Sequence, residues 1–270
     1  MPTLVVPFMS RFAILMSVLM LSACAPLPPQ RPAEGAFVDR TLALDGVEHR
    51  YQVFVPTRSA SGGKPPVILF LHGSGERGND GVKPTMAGLG PYVRAHAQDF
   101  PAIVVFPQAA EDSEWMGANV DMAMTMLDAA TREFDGDERR RILTGMSMGG
   151  YGTWEMALRH PKRFAALVPV CGAINQHSTR ALYVTEVAGK PDPYAAVATQ
   201  LRDVPIWIFH GAKDDVVLPD DDRLLAKAFA AAGAKDARYT EFPDANHNAW
   251  DPAYAQTPAL WDWIWAQRRR

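Results

Sequence analysis

RILTGMSMGGYGTW, residues 141–154, decides the fold. Its first part, Arg141 to Gly145, is a short, largely apolar run of the kind that suits a strand buried on both faces. From Met148 the pattern becomes helical and runs to His160, where Pro161 stops it. Between the two lies Gly145-Met146-Ser147-Met148-Gly149, a G-x-S-x-G. The five letters alone are common; a strand before them and a helix after them make them informative. A strand–tight turn–helix junction pushes the central serine out at the helix N-terminus. Its glycines let the backbone turn sharply and let helix and sheet approach closely. A plain helix-capping serine is the modest alternative.

Working outward, Phe37 to Leu44 and His49 to Val55 alternate apolar and polar residues around Asp45-Gly46, which predicts an antiparallel hairpin. Further short apolar runs follow at Val67 to Leu71, Ile103 to Phe106, Ala165 to Val170, Pro205 to Phe209 and Arg238 to Phe242. Helical patterns separate them at Ala118 to Phe134, Met148 to His160, Asp220 to Ala232 and Pro258 to Gln267. A hairpin followed by repeated β–α units predicts an α/β sandwich with a mostly parallel sheet and no second-domain boundary. Ile174 to Asp203 breaks the rhythm and predicts either an excursion over the carboxyl edge of the sheet or a connecting helix with a long loop.

The elbow, LHGSGERG (71–78), FHGAKDDVV (209–217) and NHNAWDPAY (246–254) together resemble the α/β-hydrolase superfamily. Within it they look like the secreted carboxylesterases that include feruloyl-esterase-like and polyhydroxybutyrate-depolymerase-like members. The resemblance spans roughly Ala36 to Gln267. It implies an α/β-hydrolase fold, with helices on both faces of the sheet, and a Ser–acid–His chain order. Ser147 is then the nucleophile. Four histidines follow it, and only His247 also follows the best acidic candidates, so His247 is the expected base. His210 ends a strand and reads as a core residue. The family pattern H-G-x-x-D selects Asp214 as the acid, with Asp215 as the rival. Asp220, Asp221 and Asp222 read as the negatively charged first turn of a helix.

Gly73-Ser74-Gly75-Glu76-Arg77-Gly78 also spells G-x-G-x-x-G, the dinucleotide fingerprint. That reading needs a helix starting in the motif to face a pyrophosphate, and Asn79 to Pro84, Gly88, Gly90 and Pro91 predict none for about a dozen residues. No nucleotide cofactor is expected. The hydrolase resemblance instead makes this an oxyanion loop, with the amides of Ser74 (Gly73 as near rival) and Met148 as donors. Glu76 and Arg77 could touch substrate or form an ion pair within the loop. Trp115 and Trp250 are expected on the rim of the site, with loop packing as the alternative. Cys171 reads as a small buried hydrophobe, and no His, Cys, Asp or Glu cluster has metal-ligand spacing.

The 270 residues are 48% hydrophobic and carry a net charge of −3 without a dense basic block, which argues against nucleic acid as a partner. Phe12 to Leu21 is too short to span a bilayer and fits a signal-peptide core. Leu21-Ser22-Ala23-Cys24 resembles the lipobox of bacterial lipoproteins, which implies lipid modification at Cys24 and export to a bacterial membrane, periplasmic or surface-facing. The expected organisation is a signal peptide (1–23), a Pro-rich tether (24–35) and one catalytic domain (36–270). With Cys171 the sole other cysteine, no internal disulfide framework is expected. The function implied is a serine carboxylesterase acting on a small ester through an acyl-enzyme. A phospholipase or serine peptidase shares this machinery, and a surface-binding lipoprotein without catalysis is the rival from another class.

Overall fold

The computed structural model describes residues 1–3, 35–57, 63–175 and 182–270. The expected signal segment, Cys24 and the Pro-rich run lie outside the described residues.

Among the described residues, eight strands form one sheet: β1 (Ala36–Leu44), β2 (Val47–Val55), β3 (Val67–Leu71), β4 (Ile103–Phe106), β5 (Arg141–Met146), β6 (Ala166–Val170), β7 (Ile206–Gly211) and β8 (Ala237–Phe242). Their order across the sheet is β1-β2-β4-β3-β5-β6-β7-β8. The hairpin β1–β2 is antiparallel and joins the rest through an antiparallel β2–β4 pair, while β4 to β8 run parallel to β3. This is the α/β-hydrolase architecture expected from the sequence, in the same strand sequence. The register also fixes where the chain enters. Ala36 pairs with Val55 beside the start of β4, so β1 begins at the amino edge of the parallel strands.

Seven helices among the described residues cover the sheet: α1 (Leu89–Ala95), α2 (Ala118–Glu133), α3 (Met148–Arg159), α4 (Pro193–Leu201), α5 (Asp220–Ala231), α6 (Trp250–Ala255) and α7 (Pro258–Ala266). Side chains along a strand alternate between faces, and the core divides accordingly. Val67, Leu69 and Leu71 of β3 pack with Leu127, Trp154, Leu201 and Phe229, from α2 to α5. Ile68 and Phe70 pack with Leu89, Tyr254 and Trp261, from α1, α6 and α7. The continuous apolar strands are therefore buried on both faces because each face has its own helices.

Helix α1 departs from expectation. Gly90 and Pro91 read as breakers, yet both fall in its first turn, where a missing amide costs nothing and φ near −65° is already helical. The irregular stretch after Ile174 resolves in part into α4, capped by the Asp192 side chain on the Ala195 amide and opened by Pro193.

The elbow is built by contact between backbones. A Cβ placed on Gly149 would lie 1.9 Å from the Leu71 carbonyl oxygen, and one on Gly145 would lie 2.2 Å from that of Gly149. Gly150 and Gly172 also meet closely, a Cβ on Gly150 lying 2.7 Å from the Gly172 Cα. With these approaches fixed, Ser147 is forced to φ 53°, in the left-handed region where a side chain is strained. Gly149→Ala is expected to lower unfolding stability by more than about 3 kcal/mol, whereas Gly63→Ala, which meets open space, stays within about 0.5 kcal/mol. Urea denaturation of the two variants checks this.

Candidate active site

Ser147 follows β5, His72 follows β3, Asp214 follows β7 and His247 follows β8. In parallel strands these loops share the carboxyl edge, so residues 175 positions apart in sequence meet in one place.

Nε2 of His247 lies 2.9 Å from Ser147 Oγ, and Nδ1 lies 2.8 Å from Asp214 Oδ2. A carboxylate only accepts, so Nδ1 carries the proton and Nε2 is left to accept from the serine hydroxyl. Asp214 Oδ1 accepts from the amides of Val216 and Val217, each at 2.9 Å. Burial pushes the Asp214 carboxyl up, but hydrogen bonds from His210 and His247 reverse this and hold it well below the usual carboxylate range. Asp215, the sequence rival, is exposed and takes no part in this chain.

Met148 is the first residue of α3, so its amide has no intrahelical acceptor. Ser74 opens a 3-10 turn, Ser74–Glu76. Among the described residues no group accepts from either amide. Burial raises the pKa of the Glu76 carboxyl, and the Gly73 and Glu76 amides lower it in smaller measure. Gly73 lies against Ser147, a Cβ on it falling 3.6 Å from Ser147 Cβ. The turn at Ser74–Glu76 is a single one and gives no helix of the kind a dinucleotide site requires.

Two expectations for this loop need correcting. Trp115 is not on a rim: it is 1% exposed, and its indole N–H donates to the His72 carbonyl oxygen at 2.9 Å. Gly152 of α3 leaves the room that its ring fills. Arg77 does not pair with Glu76. Its guanidinium bonds Glu114 and the Ser113 carbonyl oxygen on the loop after β4. Glu76 keeps a buried carboxylate oxygen with no partner among the described residues. Trp250 is half-buried, as a rim residue would be, and its ring meets His247 edge-on at 5.6 Å between centroids.

Three residues that brace the loop carried no local signal. Gln108 donates to the Glu76 carbonyl oxygen and accepts from the Gly81 amide. Glu114 holds Arg77. His72, fully buried, accepts the Ala109 amide at Nε2 and donates from Nδ1 to the Gly73 carbonyl oxygen at 2.6 Å. Burial lowers its pKa to about 4, so it stays neutral and keeps both bonds. His210 and Asp222, read from sequence as core and helix-dipole residues, are both buried and bonded to each other beside Asp214. Among the described residues no group of His, Cys, Asp and Glu is arranged to hold a metal ion.

The prolyl oligopeptidase family model matches residues 108–268. A thermostable esterase of known structure is 30% identical, with a TM-score of 0.72, and the match covers 86% of this chain and 63% of that one. An uncharacterised secreted protein of Arthroderma benhamiae is 27% identical over 204 residues, 68% of this chain and 21% of its own length. A bifunctional acetylxylan esterase/xylanase of Neocallimastix patriciarum is 24% identical over 183 residues, 64% of this chain and 22% of its own. The chain thus spans about a fifth of the length of these two relatives.

Trp115→Phe keeps the ring but loses the bond to His72; it is expected to cost about 1 kcal/mol in thermal unfolding, while Trp250→Phe, whose recorded contact at the site is a ring edge, stays within about 0.5 kcal/mol.

Proposed function

The chain belongs to the prolyl oligopeptidase family, and from that premise we propose that it is a serine carboxylic-ester hydrolase. The observation that carries this reading is the unbroken run from Ser147 Oγ through His247 to Asp214, at 2.9 and 2.8 Å. The likeness to a thermostable esterase favours an ester as substrate.

In the proposed cycle Ser147 Oγ attacks the ester carbonyl while His247 Nε2 takes the hydroxyl proton. The carbonyl oxygen becomes an oxyanion, received by the Ser74 and Met148 amides; one such donor is typically worth about 10²–10³ in rate. His247 then hands the proton to the departing alcohol, which leaves an acyl group on Ser147. Water, deprotonated by the same imidazole, releases the acid and restores the serine. Asp214 holds the tautomer and stabilises the imidazolium formed twice in each turnover. Asp214 is held ionised through neutral pH, so it keeps its role there. The left-handed φ of Ser147 fits this role, since such strain keeps Oγ projecting from the turn.

The family's description favours a second reading, a peptidase with the same groups acting on an amide. For the rest of the chain we propose the organisation expected from the sequence: export directed by residues 1–23, lipid attachment at Cys24, a tether to residue 35 and one catalytic domain from 36 to 270. The secreted protein of Arthroderma benhamiae supports export.

A fluorophosphonate probe is expected to label the wild type and not Ser147→Ala; equal labelling of both would sink the mechanism. Substrate panels of p-nitrophenyl, feruloyl, phospholipid and peptide compounds then separate the hydrolase classes, with ester turnover dominant. His247→Ala should lose roughly 10⁴-fold or more in kcat, and loss within about tenfold would remove it as the base. kcat/KM should fall on the acid side with unit slope, one proton deciding it.

A further inference from the structure

His210 closes β7 and is fully buried. Its two ring nitrogens meet acceptors. Nδ1 lies 2.7 Å from Asp222 Oδ2, and Nε2 lies 2.9 Å from the Val217 carbonyl oxygen. Nε2 is also 3.2 Å from Asp214 Oδ2, the same oxygen that receives His247. A neutral imidazole has one N–H and one acceptor nitrogen. A carbonyl oxygen cannot donate, so Nε2 carries a proton, and Nδ1 faces a carboxylate with no other recorded partner.

We propose that His210 is a positioning residue of the site: a buried imidazolium, clamped by Asp222, that pins Oδ2 of Asp214 and so fixes the ring of His247. This rests on the reading of Ser147, His247 and Asp214 given above. The chain of contacts then runs Asp222–His210–Asp214–His247–Ser147. Each end of the Asp214 carboxylate is tied, Oδ1 by two amides and Oδ2 by two imidazoles. Without His210, Oδ2 would keep His247 alone and the carboxylate could tilt about its amide-bound oxygen.

The charges favour the cation. Two carboxylates buried side by side repel each other and lack water; one imidazolium between them reduces the cluster to a single net negative charge. Burial lowers the pKa of His210 and raises that of Asp222; the hydrogen bonds that the ring donates to Asp214 and Asp222 outweigh the first and raise His210 to about 10, and they offset part of the second. Other ionisable groups surround the pair: Asp221 on α5, Tyr239 and Glu241 on β8, Tyr151 on α3 and Cys171 after β6. Burial keeps Tyr151 and Cys171 protonated, and Arg223 holds Glu241 ionised, its pKa lowered to about 2. Among the described residues the His210 ring bonds Asp222 and the Val217 carbonyl oxygen and pairs with Asp214.

The direct test is 15N NMR of the full chain labelled at histidine. Both ring nitrogens of His210 should carry protons from pH 6 to 9, a state that needs no catalysis to observe. One bare nitrogen at pH 7.5 overturns the proposal. Kinetics on a p-nitrophenyl ester give the second measurement. His210→Asn should lower kcat by about tenfold to a hundredfold with KM within about threefold, since small misplacements act on the transition state. Its acid limb should move to higher pH, because removing a buried cation from the cluster favours uptake of a proton there. A folded His210→Asn with unchanged kcat and pH profile also overturns the proposal. Should that variant not fold, Asp222→Asn decides: it keeps the His210 ring in place, and its NMR should show a ring that loses one proton well below pH 9. Retention of the doubly protonated ring in Asp222→Asn defeats the clamp. Absence of fluorophosphonate labelling in the wild type defeats the triad reading instead, and the histidine spectrum separates the two failures.

Discussion

The contact between backbones at Gly145, Gly149 and Gly150 is the constraint on which the site depends. It lets α3 sit directly on the end of β3 and beside Gly172, at distances no side chain could occupy. Three results follow from one approach. Ser147 is driven to positive φ, and its Oγ projects from the turn. The Met148 amide is left at a helix N-terminus with nothing to bond. And the end of β3, which runs straight into His72 and the Ser74 loop, is held against the helix that Ser147 opens. The groups on either side of the expected carbonyl position are thereby coupled through backbone rather than through side chains that could rotate.

A second layer of organisation is electrostatic. A carboxylate at the buried end of a loop loses its water, and Asp214 replaces that water with two amides and two imidazoles. The neutral His72 and the raised His210 show the same physics with opposite outcomes. His72 has an amide pointing at one nitrogen and a carbonyl at the other, so burial wins and the ring stays uncharged. His210 has carboxylates at both nitrogens, so charge wins. Residue type and burial are alike in the two cases; the neighbours differ.

What the sequence made legible was local. The apolar runs of β3 to β7 and the change of period at Met148 specify strands, helix and elbow within a dozen residues, and the sheet then assembles as expected. Asp214 was singled out by the H-G-x-x-D pattern that the resemblance supplies, and His247 by its place after the acids in the polar loop that follows β8; the structure brings both side chains to Ser147. The bracing contacts were not readable. Arg77 finds Glu114 across 37 positions, and Trp115 turns inward to His72 across 43. No periodicity records such pairs, and a tryptophan after a strand looks the same whether it faces water or a buried carbonyl. Asp222 misled for a related reason. An acid in a first helical turn already has a sufficient explanation in the helix dipole, so nothing in Asp220-Asp221-Asp222 singles out the one that turns toward a buried histidine.

The register of the first hairpin has a practical side. β1 starts at the amino edge of the parallel strands, and Ser147 lies at the carboxyl edge. Whatever is joined ahead of Ala36 is therefore attached to the far side of the sheet from Ser147. Fixed to a bead, a fusion partner or a lipid layer through that segment, the domain would hold its carboxyl edge outward. A bulky or insoluble molecule could then reach that edge without passing the point of attachment.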